Sequence, residues 1–209
     1  DPMDWMKRAR DAGMKYFVIT SKHHEGFALY HSRVSKFNVV DATPFKRDII
    51  EEIAEACRAT GIKLGLYYSQ DLDWSEPNGG GYTSGKTWCG GRGYWNNNWD
   101  FPDDANKNFT QCFNDKIKPQ VKEILTEYGD LCLIWFDTPF GIPVECSREL
   151  FDMVKQYQPN CLVNSRIGNG MGDYRSCGDN HLPEEYTDEA VEAPVTLNHT
   201  WGYKSFDND

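Results

Sequence analysis

Apolar runs and amphipathic stretches alternate along this chain. The runs Met14-Lys15-Tyr16-Phe17-Val18-Ile19-Thr20, Lys63-Leu64-Gly65-Leu66-Tyr67-Tyr68-Ser69, Leu131-Cys132-Leu133-Ile134-Trp135-Phe136-Asp137 and Cys161 to Arg166 are too short for core helices and read as buried strands. Between them lie helical patterns. Asp1-Pro2 is an N-cap and N1 pair for a helix through Arg10, closed by Gly13. Asp48 opens a second helix through Thr60, with Ile49, Ile50, Ile53, Ala54 and Cys57 on its apolar side and Gly61 at its end. A third is expected from about 106 to 128, before Gly129, and a fourth from about 147 to 157, before Pro159. Strands separated by helices need crossover connections, so the sheet is expected to be parallel and the fold α/β. The 209 residues fall short of the ~250 of a full eight-stranded barrel, so a (β/α)8-like, TIM-type barrel would be incomplete in this chain.

The third strand ends abruptly on a carboxylate. Burying an unpaired charge costs several kcal/mol, which makes Asp137 the first residue to suspect of chemistry. The first strand runs into Ser21-Lys22-His23-His24-Glu25-Gly26-Phe27, and the fourth into Arg166. Parallel α/β folds keep their sites at the carboxyl ends of strands, so these groups are expected to share one site. Adjacent imidazoles at a strand end do not easily aim at one ion, and no HExxH or His-x-His spacing exists. His23 and His24 read instead as hydrogen-bonding partners of a polar ligand, or as a cap and a solvated ring. Arg166 could hold a carboxylate ionised or make a plain surface ion pair. The Ile167 to Asp173 stretch has the glycines of a nucleotide loop but no helix after it, and reads as a turn.

Composition narrows the partners. With 22 Lys plus Arg against 32 Asp plus Glu, the net charge of −10 repels phosphate backbones and anionic membranes, so nucleic acid is not an expected partner. No apolar run is long enough to span a bilayer. Seven cysteines without CxxC spacing argue against a zinc ribbon; Cys57, Cys132 and Cys161 read as buried thiols, and Cys89 and Cys112 could pair. Two sequons, at Asn108 and Asn198, tilt towards an exported protein. The long stretch Gln70 to Asp104, holding Trp74, Tyr82, Trp88, Tyr94, Trp95 and Trp99, is too aromatic for disorder and reads as a functional loop.

The motifs His23-His24-Glu25-Gly26-Phe27, Gly65-Leu66-Tyr67-Tyr68-Ser69 with Asp73-Trp74, Ile134-Trp135-Phe136-Asp137, Val163-Asn164-Ser165-Arg166 with Gly172-Asp173-Tyr174, and Thr200-Trp201-Gly202-Tyr203 resemble, in order, those of the α-L-fucosidases of glycoside hydrolase family 29. The resemblance implies a single (β/α) barrel catalytic domain over 1–209, without its first strand and without the β-sandwich that normally follows. It also implies a retaining exo-acting double displacement on terminal fucose of a glycan, with no metal or other cofactor, in a secreted, periplasmic or lysosomal setting. Asp137 resembles the nucleophile, and His23, His24, Tyr67, Arg166 and Trp201 resemble residues around the fucose. Two positions depart from the family pattern: Glu25 stands where Asp is common, and His181 follows Gly178-Asp179-Asn180 where one branch carries its acid/base Glu. The proton donor is therefore placed at Glu184, which Pro183 could aim inward, with Glu185 and Asp179 as alternatives. A rival reading, motivated by His181, is a carbohydrate-binding pseudo-enzyme.

Overall fold

The computed structural model describes residues 1–80 and 95–206. Tyr82, Trp88, Cys89 and Tyr94 of the aromatic insertion lie outside them. In chain order the elements are α1 (Pro2–Asp11), β1 (Tyr16–Lys22), a short α2 (Val39–Ala42), α3 (Ile49–Thr60), β2 (Lys63–Ser69), α4 (Phe109–Cys112), a π turn (Phe113–Ile117), α5 (Lys118–Glu127), β3 (Leu131–Asp137), α6 (Val144–Tyr157), β4 (Leu162–Val163), β5 (Arg175–Ser176) and β6 (Val191–Glu192). Strands β1 to β4 form one sheet in the order β1-β2-β3-β4 with every pair parallel, and β5 pairs with β6. The fold is thus α/β with a parallel sheet, as the alternation implies.

Local chemistry sets the element ends. Asp1 accepts from the Met3 amide at 2.9 Å and Pro2 opens α1; Asp48 accepts from Glu51 at 3.0 Å to cap α3, and Gly61 closes it at φ +76°, where a Cβ would be strained. The inner face of α3, with Ile50 and Ile53 fully buried, packs on the sheet, each side chain contributing roughly 1.5–3 kcal/mol by burial. In β2, Leu64, Leu66 and Tyr68 turn to the helix-covered core, which leaves Gly65, Tyr67 and Ser69 on the other face. In β3, Trp135 pairs with Tyr67 and Asp137 with Ser69, so these four share that face.

Several boundaries differ from the sequence reading. Strand β1 begins two residues later and runs on to Lys22, which brings His23 directly to its end. Helix α6 starts at Val144 after Pro143, and β4 shrinks to two residues before a 3-10 turn over Ser165–Ile167. The expected helix over 106–128 is interrupted by the π turn. Pro119 lacks an amide hydrogen and its ring crowds the carbonyl four residues back, so the ladder loosens one turn ahead of it. Cys57 and Cys161 are buried free thiols as expected, Cys132 is only half-buried, Cys112 is buried as well, and burial pushes Cys57 up to about 11. Among the described residues no helix is long and apolar enough to cross a membrane.

Candidate active site

The carboxyl ends of β1, β2 and β3 converge with Arg166 on one carboxylate. Tyr67 donates its hydroxyl to Asp137 Oδ2 at 2.7 Å, and Arg166 Nη1 donates to Oδ1 at 3.0 Å. The Thr138 amide also donates to Oδ1, at 2.9 Å. Thr138 takes φ +56°, a conformation a β-branched residue avoids at a cost on the order of 1–3 kcal/mol. That strained turn aims its amide at the carboxylate. The Asp137 side chain is only 13% exposed, so three donors replace the water it gives up. Its own amide is held by Gln70 Oε1 at 2.8 Å. Tyr67 is pushed well above its ordinary range by burial and then by the Asp137 charge, which keeps it a donor.

Aromatic stacking holds the Tyr67 hydroxyl in place. Its ring lies between His23 (5.6 Å between centroids) and Trp135 (5.3 Å), both near parallel. Trp135 in turn supports the Arg166 guanidinium at 4.7 Å. The indole is fixed from below by Glu192, which accepts from Trp135 Nε1, Ser176 Oγ and the Tyr174 hydroxyl.

His24 is 6% exposed and its Nδ1 lies 2.7 Å from Ser69 Oγ. Ser69 spends its one hydrogen on the Leu72 carbonyl at 3.2 Å, so it must accept from His24 Nδ1–H. Nε2, 3.9 Å from Asp137 Oδ2, is left as a lone-pair acceptor able to take a ligand hydroxyl proton. Burial foremost, with His23 and Lys22 adding, lowers His24 to about 4 against the pull of Asp137, so the ring is neutral near pH 7. His23 is half exposed and meets Glu25 at 3.1 Å.

Beneath the histidines lies a buried ion cluster. Asp73, 1% exposed, pairs with Lys22 at 3.1 Å and with Lys116 from the π turn at 2.9 Å, while Ser75 donates to its other oxygen at 2.7 Å. Burial raises Asp73, but the two lysines outweigh it and hold the group below its ordinary value; burial lowers Lys22. The cluster ties the ends of β1 and β2 to the π turn, and the Trp74 amide donates to the His24 carbonyl at 2.7 Å. Gly26, at φ +87°, is required here, because a Cβ would stand 2.2 Å from Asp73 Oδ1.

Of the residues expected in the site, His23, His24, Tyr67, Arg166 and Asp137 come together. Trp201 is 62% exposed, and among the described residues no ring contact or hydrogen bond links it to this group. Glu184 and Glu185 are exposed and line a separate cleft with Arg175, His181 and Tyr186. Asp179 behaves differently: it accepts from Arg166 Nη2 at 2.5 Å, so one guanidinium bridges Asp137 and Asp179. The His181 ring folds back to the Asp179 carbonyl at 2.7 Å, a turn contact. Sequence reasoning assigned no role to Gln70 or Thr138, quoted Ser69 and Trp135 only as motif residues, and held Glu192 only as one of several candidate carboxylates. Trp135 and Ser69 carried a signal, sharing a strand face by period two with Asp137 and Tyr67 respectively. Among the described residues no cluster of three His, Cys, Asp or Glu is placed to hold a metal ion.

A set of strand-end groups focused on one carboxylate can bind a polyhydroxylated ring and attack it, and comparison with known proteins points the same way. A family model described as alpha-L-fucosidase matches residues 1–209. The tissue alpha-L-fucosidase of Bos taurus is 29% identical over 98% of this chain and 41% of its own length, and the plasma alpha-L-fucosidase of Rattus norvegicus is 31% identical over 96% and 41%. Among solved structures, alpha-L-fucosidase AlfC from Lactobacillus casei in complex with α-L-fucose product is 49% identical, with a TM-score of 0.87 over 100% of this chain and 64% of that one. The alpha-L-fucosidase from Vibrio sp. strain EJY3 is 37% identical with a TM-score of 0.86, over 100% and 36%. The chain therefore spans about two fifths of the length of these curated relatives. With the match running from the first residue to the last, the chain belongs to the alpha-L-fucosidase family.

Proposed function

We propose that the full-length protein containing this chain is a retaining exo-α-L-fucosidase, removing terminal α-L-fucose from glycans or glycoconjugates, and that residues 1–209 form part of a (β/α)8-like barrel catalytic domain. One observation carries the reading: the carboxylate ending β3 is gripped by three donors and shares its arginine with a second carboxylate. Retaining glycosidases need two carboxyls about 5–5.5 Å apart, one to attack and one to move a proton. One guanidinium, contacting both Asp137 and Asp179, keeps the two carboxyls close together.

Asp137 is the nucleophile. Its oxygen bonds to the anomeric carbon as the glycosidic bond breaks, and the electron pair leaves with the aglycone oxygen, which takes a proton from Asp179. Asp137 is then an uncharged ester and Asp179 a carboxylate, so Arg166 passes from the first partner to the second with no net change in site charge. In the second half Asp179 takes a proton from water, the oxygen adds to the anomeric carbon, and Asp137 departs as a carboxylate. His24 Nε2 accepts from a sugar hydroxyl, while His23 and Tyr67 wall the ring. We place the proton donor at Asp179 rather than Glu184, because Asp179 alone of the loop carboxylates touches Arg166. The pseudo-enzyme reading loses its motive, since His181 occupies a turn and leaves Asp179 in reach. The plasma name of the rat relative accords with a secreted setting.

The test compares Asp137→Asn, Asp179→Ala and Glu184→Ala in the full-length protein. Asp137→Asn should cost several orders of magnitude on every fucoside. Asp179→Ala should lose poor leaving groups while sparing an activated aryl fucoside, and Glu184→Ala should change neither. Loss of poor leaving groups in Glu184→Ala alone would return the donor role to Glu184, and an active Asp137→Asn would end the double-displacement reading.

A further inference from the structure

Beside the sugar pocket stands an aromatic group that the reaction as proposed does not use. Trp74 and Trp95 both meet His24 edge-on, at 5.7 and 5.6 Å between centroids. From that pair the rings continue outward in two directions: Trp99 contacts Trp74 at 6.1 Å and Phe140 contacts Trp95 at 5.3 Å. The outer two are open, Trp99 being 62% exposed and Phe140 39%. Single exposed aromatics are ordinary, but two in one contiguous cluster that begins at an active-site histidine are not scattered surface.

The segment carrying Trp99 is held firmly. Trp74 Nε1 donates to the Trp95 carbonyl at 2.9 Å. The fully buried Asn97 donates to the Glu76 carbonyl at 2.9 Å, and Lys107, 5% exposed, donates to the side-chain oxygens of Asn97 and Asn98 at 2.6 Å each. A buried ammonium satisfied by two amides fixes the turn between Trp95 and Trp99, so the outward face of Trp99 is preformed. Preformed aromatic faces bind with little ordering cost.

We propose that Trp99, backed by Trp74, is a platform for the sugar to which the fucose is attached. A neutral pyranose offers a face of C–H groups that an indole can cover while its hydroxyls stay in water, and a chain of net charge −10 favours an uncharged occupant over an acidic one. The occupant is a hexose or N-acetylhexosamine on the leaving side of the scissile bond. This rests on the fucosidase reading above.

The experiment measures kcat/KM in the full-length protein for two substrates: a fucosyl-α-1,6-N-acetylglucosamine disaccharide, and α-L-fucosyl fluoride, whose leaving group is too small to reach Trp99. The readout is their ratio. Trp99→Ala should lower it roughly tenfold, the range of one stacked ring, and Trp99→Phe should restore most of it. An unchanged ratio in Trp99→Ala, or equal loss on both substrates, would overturn the platform while leaving the reaction intact. Wild-type protein that cleaves neither substrate would overturn the fucosidase reading and the platform with it.

Discussion

Replacing Asp73 by Asn tests whether the buried cluster beneath the histidines is held by charge. The carboxylate sits 3.1 Å from Lys22 and 2.9 Å from Lys116, with side chains 1%, 0% and 8% exposed, so solvent screens almost nothing. The trio already carries one excess positive charge, eased by the Tyr68 ring face 4.5 Å from Lys22 Nζ. Asn keeps the shape and removes the carboxylate that both lysines contact, leaving Lys22 and Lys116 facing each other in the core. Removing one partner of a buried ion pair costs about 3–5 kcal/mol, and the second ammonium puts this case at the upper end. Lys116→Met has the opposite logic: it leaves a neutral Lys22–Asp73 pair and substitutes an apolar stem of similar length, so it should cost under about 1.5 kcal/mol. Urea unfolding of both variants and of the double variant, read as midpoints at constant m, gives the two costs and their coupling. A loss below about 1 kcal/mol in Asp73→Asn, or a larger loss in Lys116→Met than in Asp73→Asn, would refute the argument.

Two further outcomes are expected. Tyr67→Phe removes the 2.7 Å bond to Asp137 while keeping the ring stack with His23 and Trp135, so kcat on an aryl fucoside should fall roughly 10–100-fold, the worth of a hydrogen bond to a charged group, with little change in Tm; an unchanged kcat would refute it. Because His24 is lowered to about 4, the unfolded chain binds its proton first as pH falls: the stability is present above about 6.5 and is lost between there and 4, by up to about 3 kcal/mol. Unfolding of wild type and His24→Gln at pH 7 and 4.5 should show the wild type losing more, and equal losses would show that His24 is not the group responsible.

The parallel sheet, Asp137 at a strand end and the paired histidines beside it were legible because period and position carry them. Trp201 and Glu184 were drawn from a segment without periodicity, where resemblance or a neighbouring proline gives no direction; the exposed loop around residue 184 lies in a cleft apart from Asp137. The Asp73 cluster stayed hidden because a lysine in a helix and an aspartate in a loop look like surface charge until the fold brings them together. The π turn did leave a trace. Phe109, Phe113, Ile117, Val121 and Leu125 are all buried at a strict spacing of four, as are Cys112, Lys116, Gln120, Ile124 and Tyr128. On a 3.6-residue helix such a row drifts by about 40° at each step and would leave the core within a few turns. One widened turn, worth about 100°, takes back most of the drift, and the fourfold repeat was its signature.

That widened turn has an evolutionary reading. A π turn amounts to one inserted residue whose flanking helical turns stay in phase. A one-codon deletion within 113–117 would therefore let α4 and α5 keep their faces on the core while withdrawing Lys116 from Asp73. The charge state of the ground beneath the two histidines is thus separable from the helix that supplies it, and one small indel is enough to change it.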